Sequence, residues 1–263
     1  MLKRTVPLCI LSTLLLVGCN LVSSNDPLTP DTPEIPDTPD YDLNYGLIFH
    51  QDFEGDITSY DWLVGTPSAS EGIANSQSAL LDGNSVLRMV SWEDEDTKDI
   101  YSTGNKTISF WYRFDDINFN GDGKDDKEQY IITLDREEQL NSYGYILRLK
   151  GGNLTSYQKD AYTINFNDSG SLPNDGEWNH FALVQSDEYV TVYHNGNSEP
   201  WLDEEVSGTS LIQSADLYIG AFNYDMDEGT ARLGFKGAID EFRVYDRALT
   251  AQEINYMIEQ ANQ

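Results

Sequence analysis

The sequence predicts an all-β domain, a two-sheet antiparallel sandwich closed by one short C-terminal helix. Three observations carry that expectation. Phe181, Ala182, Leu183 and Val184 form an unbroken apolar run, which suits a strand covered on both faces inside two layered sheets. Residues 189–194, YVTVYH, alternate at period two, and Asn195 with Gly196 follows as the positive-φ pair of a tight hairpin. Near the end, Thr250 with Glu253 three residues on is a capping box, after which Ile254, Met257, Ile258 and Ala261 recur at helical spacing. The other side of that helix carries Glu253, Asn255, Glu259 and Gln260, so its apolar stripe is expected to pack on a sheet edge.

Taken in order, the chain begins with Lys3 and Arg4 before an apolar run over residues 6–17. That run is shorter than the roughly 20 residues a membrane-spanning helix needs, so residues 1–18 read as a secretory leader. Its end, Leu16, Val17, Gly18, Cys19, resembles a bacterial lipobox, which implies acylation of Cys19 as the new N-terminus. The only other cysteine, Cys9, lies inside the leader, so Cys19 has no disulfide partner after cleavage. Several acyl chains, each methylene contributing about 0.8 kcal/mol, hold a protein stably on a membrane without spanning it. Asn20, where retention signals carry aspartate, implies an outer-membrane or surface location by the same resemblance.

Residues 19–44 are polar and proline-rich, with PDTP at 30–33 repeated at 36–39. Spaced prolines favour an extended chain at about 3.1 Å per residue, so some twenty such residues reach up to ~60 Å. The sandwich is expected over residues 45–263. GLIFHQDFEG gives its first strand, with Trp62 and Val64 on the same edge of the core. In residues 78–91 a turn at Asp82, Gly83 and Asn84 separates two apolar segments. Ile108, Phe110 and Tyr112 alternate with Ser109, Trp111 and Arg113 in a central strand, and residues 130–134, 143–149 and 162–166 add others. Trp111 and Trp178 are expected in the core.

The formal charge is −29, and loss of Lys3 and Arg4 with the leader makes it −29 − 2 = −31. Nucleic acid is excluded as a partner, because phosphate binding needs clustered Lys and Arg. The same repulsion disfavours sulfated or uronate-rich glycans.

Trp178 with His180 two residues on, VYHNG at 192–196, KTISFWYRF at 106–114, LYIGAF at 217–222 and FKGAIDEFRVYDRALTAQEI at 235–254 together resemble the laminin-G-like family of concanavalin A-type jelly rolls. The resemblance covers most of the chain after residue 45 and implies a jelly-roll sandwich. It leaves function open among lectins, adhesion modules, glycosidases and lyases.

The sharpest local chemical signal is NFNGDGKDDKE at 118–128. Side-chain oxygens recur at Asn118, Asn120, Asp122 and Asp126, the Lys124 carbonyl falls at the peptide-ligand position, and Gly123 stands where a calcium loop bends. The pattern resembles short DxNxDGxxD calcium loops; Gln129 stands where a full EF-hand carries a bidentate glutamate, so Glu128 or a residue elsewhere would have to substitute. A second, weaker candidate for structural calcium uses Asp52, Asp56 or Asp240. Asp240 and Glu241, consecutive on a strand, are expected to point to opposite faces.

Sugar recognition uses exposed aromatic faces, and Trp92, Trp201 and Tyr224 are the loop aromatics available for it. No ExDxxE strand, HExxH or GxSxG is present. His180 is expected to be a strand residue with a satisfied ring rather than a general base. The sequence thus favours a non-catalytic lipoprotein domain binding a polysaccharide, glycoconjugate or extracellular protein, with structural calcium. A glycosidase or lyase of the same fold, and an envelope adhesion module, are the rivals.

Overall fold

The computed structural model describes residues 41–66, 68–90, 104–119, 128–135, 144–151, 153–158, 162–165, 174–186, 189–196, 202–205, 216–225 and 228–262. The leader, Cys19, Trp92, Asn120, Asp122, Lys124, Asp126 and Trp201 lie outside them, as does the side chain of Tyr224.

In chain order the strands are β1 (Leu47–Gln51), β2 (Trp62–Val64), β3 (Ala69–Glu71), β4 (Gln77–Asp82), β5 (Val86–Val90), β6 (Lys106–Phe114), β7 (Gln129–Asp135), β8 (Gly144–Lys150) and β9 (Asn153–Gln158). They continue with β10 (Tyr162–Asn165), β11 (Trp178–Gln185), β12 (Tyr189–His194), β13 (Leu202–Glu205), β14 (Asp216–Ile219), β15 (Asn223–Asp225), β16 (Thr230–Arg232) and β17 (Lys236–Tyr245), and the helix α1 (Ala251–Ala261) ends the chain. Two large antiparallel sheets result, as predicted, and β15 with β16 forms a small two-stranded sheet beside them. One runs β13-β12-β11-β6-β17-β4-β3, with β1 also on β17; the other runs β10-β9-β8-β7-β14-β5-β2.

The core lies between the sheets. Ile108, Phe110, Tyr112 and Phe114 of β6, with Phe181 and Leu183 of β11, meet Ile131, Ile132, Leu147 and Leu217 from the other layer. Phe110 stacks on Phe242 with ring centroids 5.9 Å apart and tilts against Phe181 at 5.3 Å. Each such side chain contributes about 1.5–3 kcal/mol by leaving water.

Ala182 and Val184 of the apolar run face the opposite way, where Ile254 and Met257 of α1 cover them together with Tyr245. The second cover of β11 is therefore the helix. This corrects the expected edge position of α1: it packs across the outer face of β11 and β17 in the middle of the larger sheet. The physical reason is that central strands offer an apolar outer patch, whereas the edge strand β13 reads LDEE. Thr250 Oγ1 accepts the Glu253 amide at 3.2 Å and Glu253 Oε2 accepts the Thr250 amide at 2.8 Å, closing the predicted box.

The turn at Asp82, Gly83 and Asn84 carries the chain from β4 in one sheet to β5 in the other, and β2 with Trp62 pairs with β5, in a different sheet from β1. Two local expectations change. Asn195 and Gly196 do have positive φ, 52° and 66°, but the link from β12 to β13 is longer than a two-residue turn, and Asn195 Oδ1 accepts the His180 amide at 2.8 Å. Trp178 is half-buried on the outer face beneath Arg113, whose guanidinium lies 5.1 Å from its ring, because the strand's alternation points it away from the core. Upstream of residue 45 the fold has already begun: Tyr41 packs edge-on against Tyr256 at 5.5 Å.

Candidate functional site

The outer face of the seven-stranded sheet gathers polar and aromatic side chains by strand alternation. Tyr130 of β7 stands opposite Arg148 of β8, and Arg148 opposite Thr155 of β9. A neighbouring row places Thr133 opposite Tyr218 and Tyr218 opposite Arg88. At the centre of the first row is Glu128, 5% exposed. Its Oε1 accepts from Arg148 Nη1 at 2.8 Å and from the Tyr130 hydroxyl at 2.9 Å, and its Oε2 from Lys150 Nζ at 2.9 Å. Burial disfavours its charged form, but the bonds from Lys150 and Tyr130 and the Arg148 charge outweigh that and hold Glu128 below the ordinary carboxylate range. It is an ionised structural anchor, not a proton donor.

Above this cluster Phe222 stacks on Tyr130, centroids 4.2 Å apart at 23°. Arg148 lies over the same Tyr130 ring at 5.4 Å and gives its Nε to Thr155 Oγ1 at 3.1 Å. In the second row Arg88 Nε donates to Asp61 at 2.6 Å, and the buried Tyr218 hydroxyl donates to Asp216 at 2.9 Å. Glu128, Tyr130, Thr155 and Tyr218 are buried beneath this face, while Phe222, Arg148, Lys150 and Arg88 stay partly exposed, so the face offers an aromatic ring beside braced cationic donors. Such a surface suits a hydroxylated ring that stacks and hydrogen-bonds at once. Sequence reasoning missed it. Tyr130 and Arg148 read as ordinary strand residues, and only strand pairing sets them side by side.

The predicted calcium loop joins β6 to β7, and only its ends are described. Asn118 is exposed and its amide donates to Asp116 Oδ1 at 3.0 Å. Gln129 is fully buried; its Nε2 donates to the Asp116 carbonyl at 2.9 Å and its Oε1 accepts the Lys236 amide at 3.0 Å. The two feet of the loop are therefore tied together by Gln129. Glu128 is turned into the Arg148 and Lys150 cluster. Asn120, Asp122, Lys124 and Asp126 lie outside the described residues, as do Trp92 beyond the end of β5 and Trp201 before β13.

The alternative carboxylates each brace local structure. Asp56 caps the short turn at Ile57–Ser59 through the Thr58 amide, and Asp52 holds the Glu54 amide. Among the described residues, no three His, Cys, Asp or Glu side chains gather. Asp240 is fully buried, accepting the Ile73 amide at 3.0 Å and the Ser76 hydroxyl at 2.7 Å on one oxygen and the Glu241 amide at 2.8 Å on the other. Burial pushes its pKa up to about 6 against those bonds. Gly72 packs so closely that a Cβ there would strike this carboxylate.

The expectation that Asp240 and Glu241 face opposite ways is overturned. Glu241 takes φ 51°, and the pairing of β17 with β6 slips between Asp240 and Arg243. This bulge keeps Ile239 and Phe242 both in the core and leaves both carboxylates on the outer side. Glu241 there accepts from His50 Nε2 at 3.0 Å and pairs with Arg243. His180 is buried beside Trp111, with Nε2 at 2.8 Å from Ser109 Oγ, and among the described residues its Nδ1 has no hydrogen-bond partner. Burial first, then the Arg243 charge, lower its pKa to about 3.

No curated protein matches the sequence. The fold is similar to domain 4 of AbnA, a GH43 extracellular arabinanase from Geobacillus stearothermophilus solved with arabinotriose, at 18% identity and a TM-score of 0.53, covering 82% of this chain and 98% of that one. It is also similar to the binding domain of Paraclostridial Mosquitocidal Protein 1 (18% identity, TM-score 0.56, 82% of this chain) and to the receptor-binding domain of botulinum neurotoxin D (17%, 0.57, 83%). The chain spans about half of those two toxin domains, 52% and 54%. The family model described as the concanavalin A-like lectin/glucanases superfamily matches residues 89–255. The chain belongs to the concanavalin A-like lectin/glucanases superfamily.

Proposed function

We propose that this chain is a lipid-anchored surface protein whose sandwich binds a neutral extracellular glycan, without turning it over, on the outer face of the seven-stranded sheet. The observation that carries the reading is the Phe222 and Tyr130 stack beside the Glu128, Arg148 and Lys150 cluster. An aromatic plane and fixed hydrogen-bonding groups in one patch match the two faces of a pyranose or furanose. The fold supports it: one similar domain was solved with arabinotriose. A binding role fits the chemistry better than hydrolysis, since Glu128 is held ionised by two cations and supplies no acid.

Calcium in the loop at 118–126 would fix the rim of this sheet, with Asn118, Asn120, Asp122, the Lys124 carbonyl and Asp126 as its ligands. Acylated Cys19 and the proline-rich segment would hold the domain away from an outer membrane. The test is affinity electrophoresis through gels containing neutral polysaccharides such as arabinan, glucan or mannan. Retardation by one polymer, lost in Phe222→Ala, is the expected result. Free migration in every gel would overturn the reading.

A further inference from the structure

A second concavity lies on the opposite side of the sandwich, over the outer face of the eight-stranded sheet. It encloses about 260 Å³ between the C-terminal end of α1, the short turn at Ile73–Asn75 and the bulge of β17. Leu43, Ile73 and Ala261 supply apolar wall, while Glu241, Arg243 and Gln260 supply polar groups.

The polar groups are underused by the protein itself. Glu241 receives His50 and Arg243 on Oε2 alone, which leaves Oε1 open among the described residues. Arg243 spends one Nη2 donor on Glu241, and the rest of its five N–H groups have no partner among the described residues. Both side chains are 17% exposed, so these open valences are reachable from the cavity. The backbone also holds the walls in an uncommon shape: Ala74 on one side and Glu241 on the other have φ of 50° and 51°. Non-glycine residues persist there only where surrounding structure fixes them.

Charge then selects the ligand class. Glu241 and Arg243 neutralise each other, so a charged ligand would bring an unmatched charge into a partly buried site. A neutral ligand needs no such break and can use the open acceptor and donors together. Apolar wall on one side and a donor–acceptor pair on the other match the C–H face and vicinal hydroxyls of a sugar ring. The volume of about 260 Å³ falls below the roughly 300–1,000 Å³ of drug-sized sites and matches a single ring seated in a half-open groove.

We propose that this cavity is a monosaccharide site, separate from the sheet face, taking one neutral sugar ring with Glu241 and Arg243 on its hydroxyls and Leu43 and Ile73 against its carbon face. It does not rest on the sheet-face reading. The experiment is saturation-transfer NMR on the full chain with galactose, glucose, mannose, arabinose and fucose as separate probes. Transfer to one sugar is expected, lost when Ala261→Phe fills the cavity and retained in Phe222→Ala. Gln260→Trp closes the same mouth from an exposed position, so the result does not hang on one variant folding. No transfer to any of the five sugars, or transfer that survives both cavity variants, overturns the proposal; loss in Phe222→Ala alone also overturns it, assigning the sugar to the sheet face.

Discussion

Glu128 Oε1 sits 2.8 Å from Arg148 Nη1, and this pair organises the outer face of the seven-stranded sheet. Removing a buried partner strands the opposite charge, at a cost of about 3 kcal/mol, the low end for buried pairs because Lys150 is 44% exposed. Glu128→Ala should lower the melting temperature by roughly 6–12 °C for a domain of this size, measured by calorimetry. A drop within error of zero would show that Arg148 and Lys150 are held by something else.

The two buried histidines predict an acid-side loss of stability. His180 and His194 have folded pKa values of about 3 and about 4, lowered by burial from 6.5, so the unfolded chain takes up their protons first as pH falls below 6.5. Asp240, raised by burial to about 6 from 3.8, acts in the opposite sense: the folded state takes up its proton first, and stability is gained as pH falls from 6 towards 3.8. Between pH 7 and 5 the two histidines outweigh the one carboxyl, for a net loss of about 2–3 kcal/mol. His194→Gln should roughly halve the histidine contribution. A melting temperature that holds or rises from pH 7 to 5 in the parent chain contradicts this balance.

Much of this fold was legible in the chain because burial forces periodicity on it. The runs in β6, β11 and β17 and the Thr250 box announce their elements directly, since a strand buried on both faces tolerates few polar residues. Partition between sheets was not legible. The turn at Asp82 is visible as a turn, but that it changes layers is not, because the choice depends on which distant strand each flanking segment pairs with. Nor did the bulge at Glu241 show, because a glutamate at positive φ leaves no mark in composition. The engagement of Glu128 with Arg148 and Lys150, about twenty residues away, likewise arises only when β7 and β8 pair.

Lipid anchoring is tested at one atom. Cys19→Ser should move the protein from the membrane pellet to the soluble fraction after cell lysis. Retention in the pellet at the parent level would contradict acylation.

Calcium addition to chelator-treated protein should raise the melting temperature, and Asp122→Ala should remove most of that rise. The sign follows from mass action, since an ion bound only by the folded loop stabilises it as its concentration exceeds its dissociation constant. An equal rise in Asp122→Ala would place the ion elsewhere, and no rise in the parent would remove calcium from the account.

The account stands or falls on whether the seven-stranded sheet meets a sugar, and a glycan array probed with the full chain in calcium measures that most directly. The predicted result is binding to a neutral glycan that Phe222→Ala and Arg148→Ala both abolish while Gln260→Trp leaves it intact. A blank array, together with crosslinking on cells that recovers one dominant envelope protein, would contradict it.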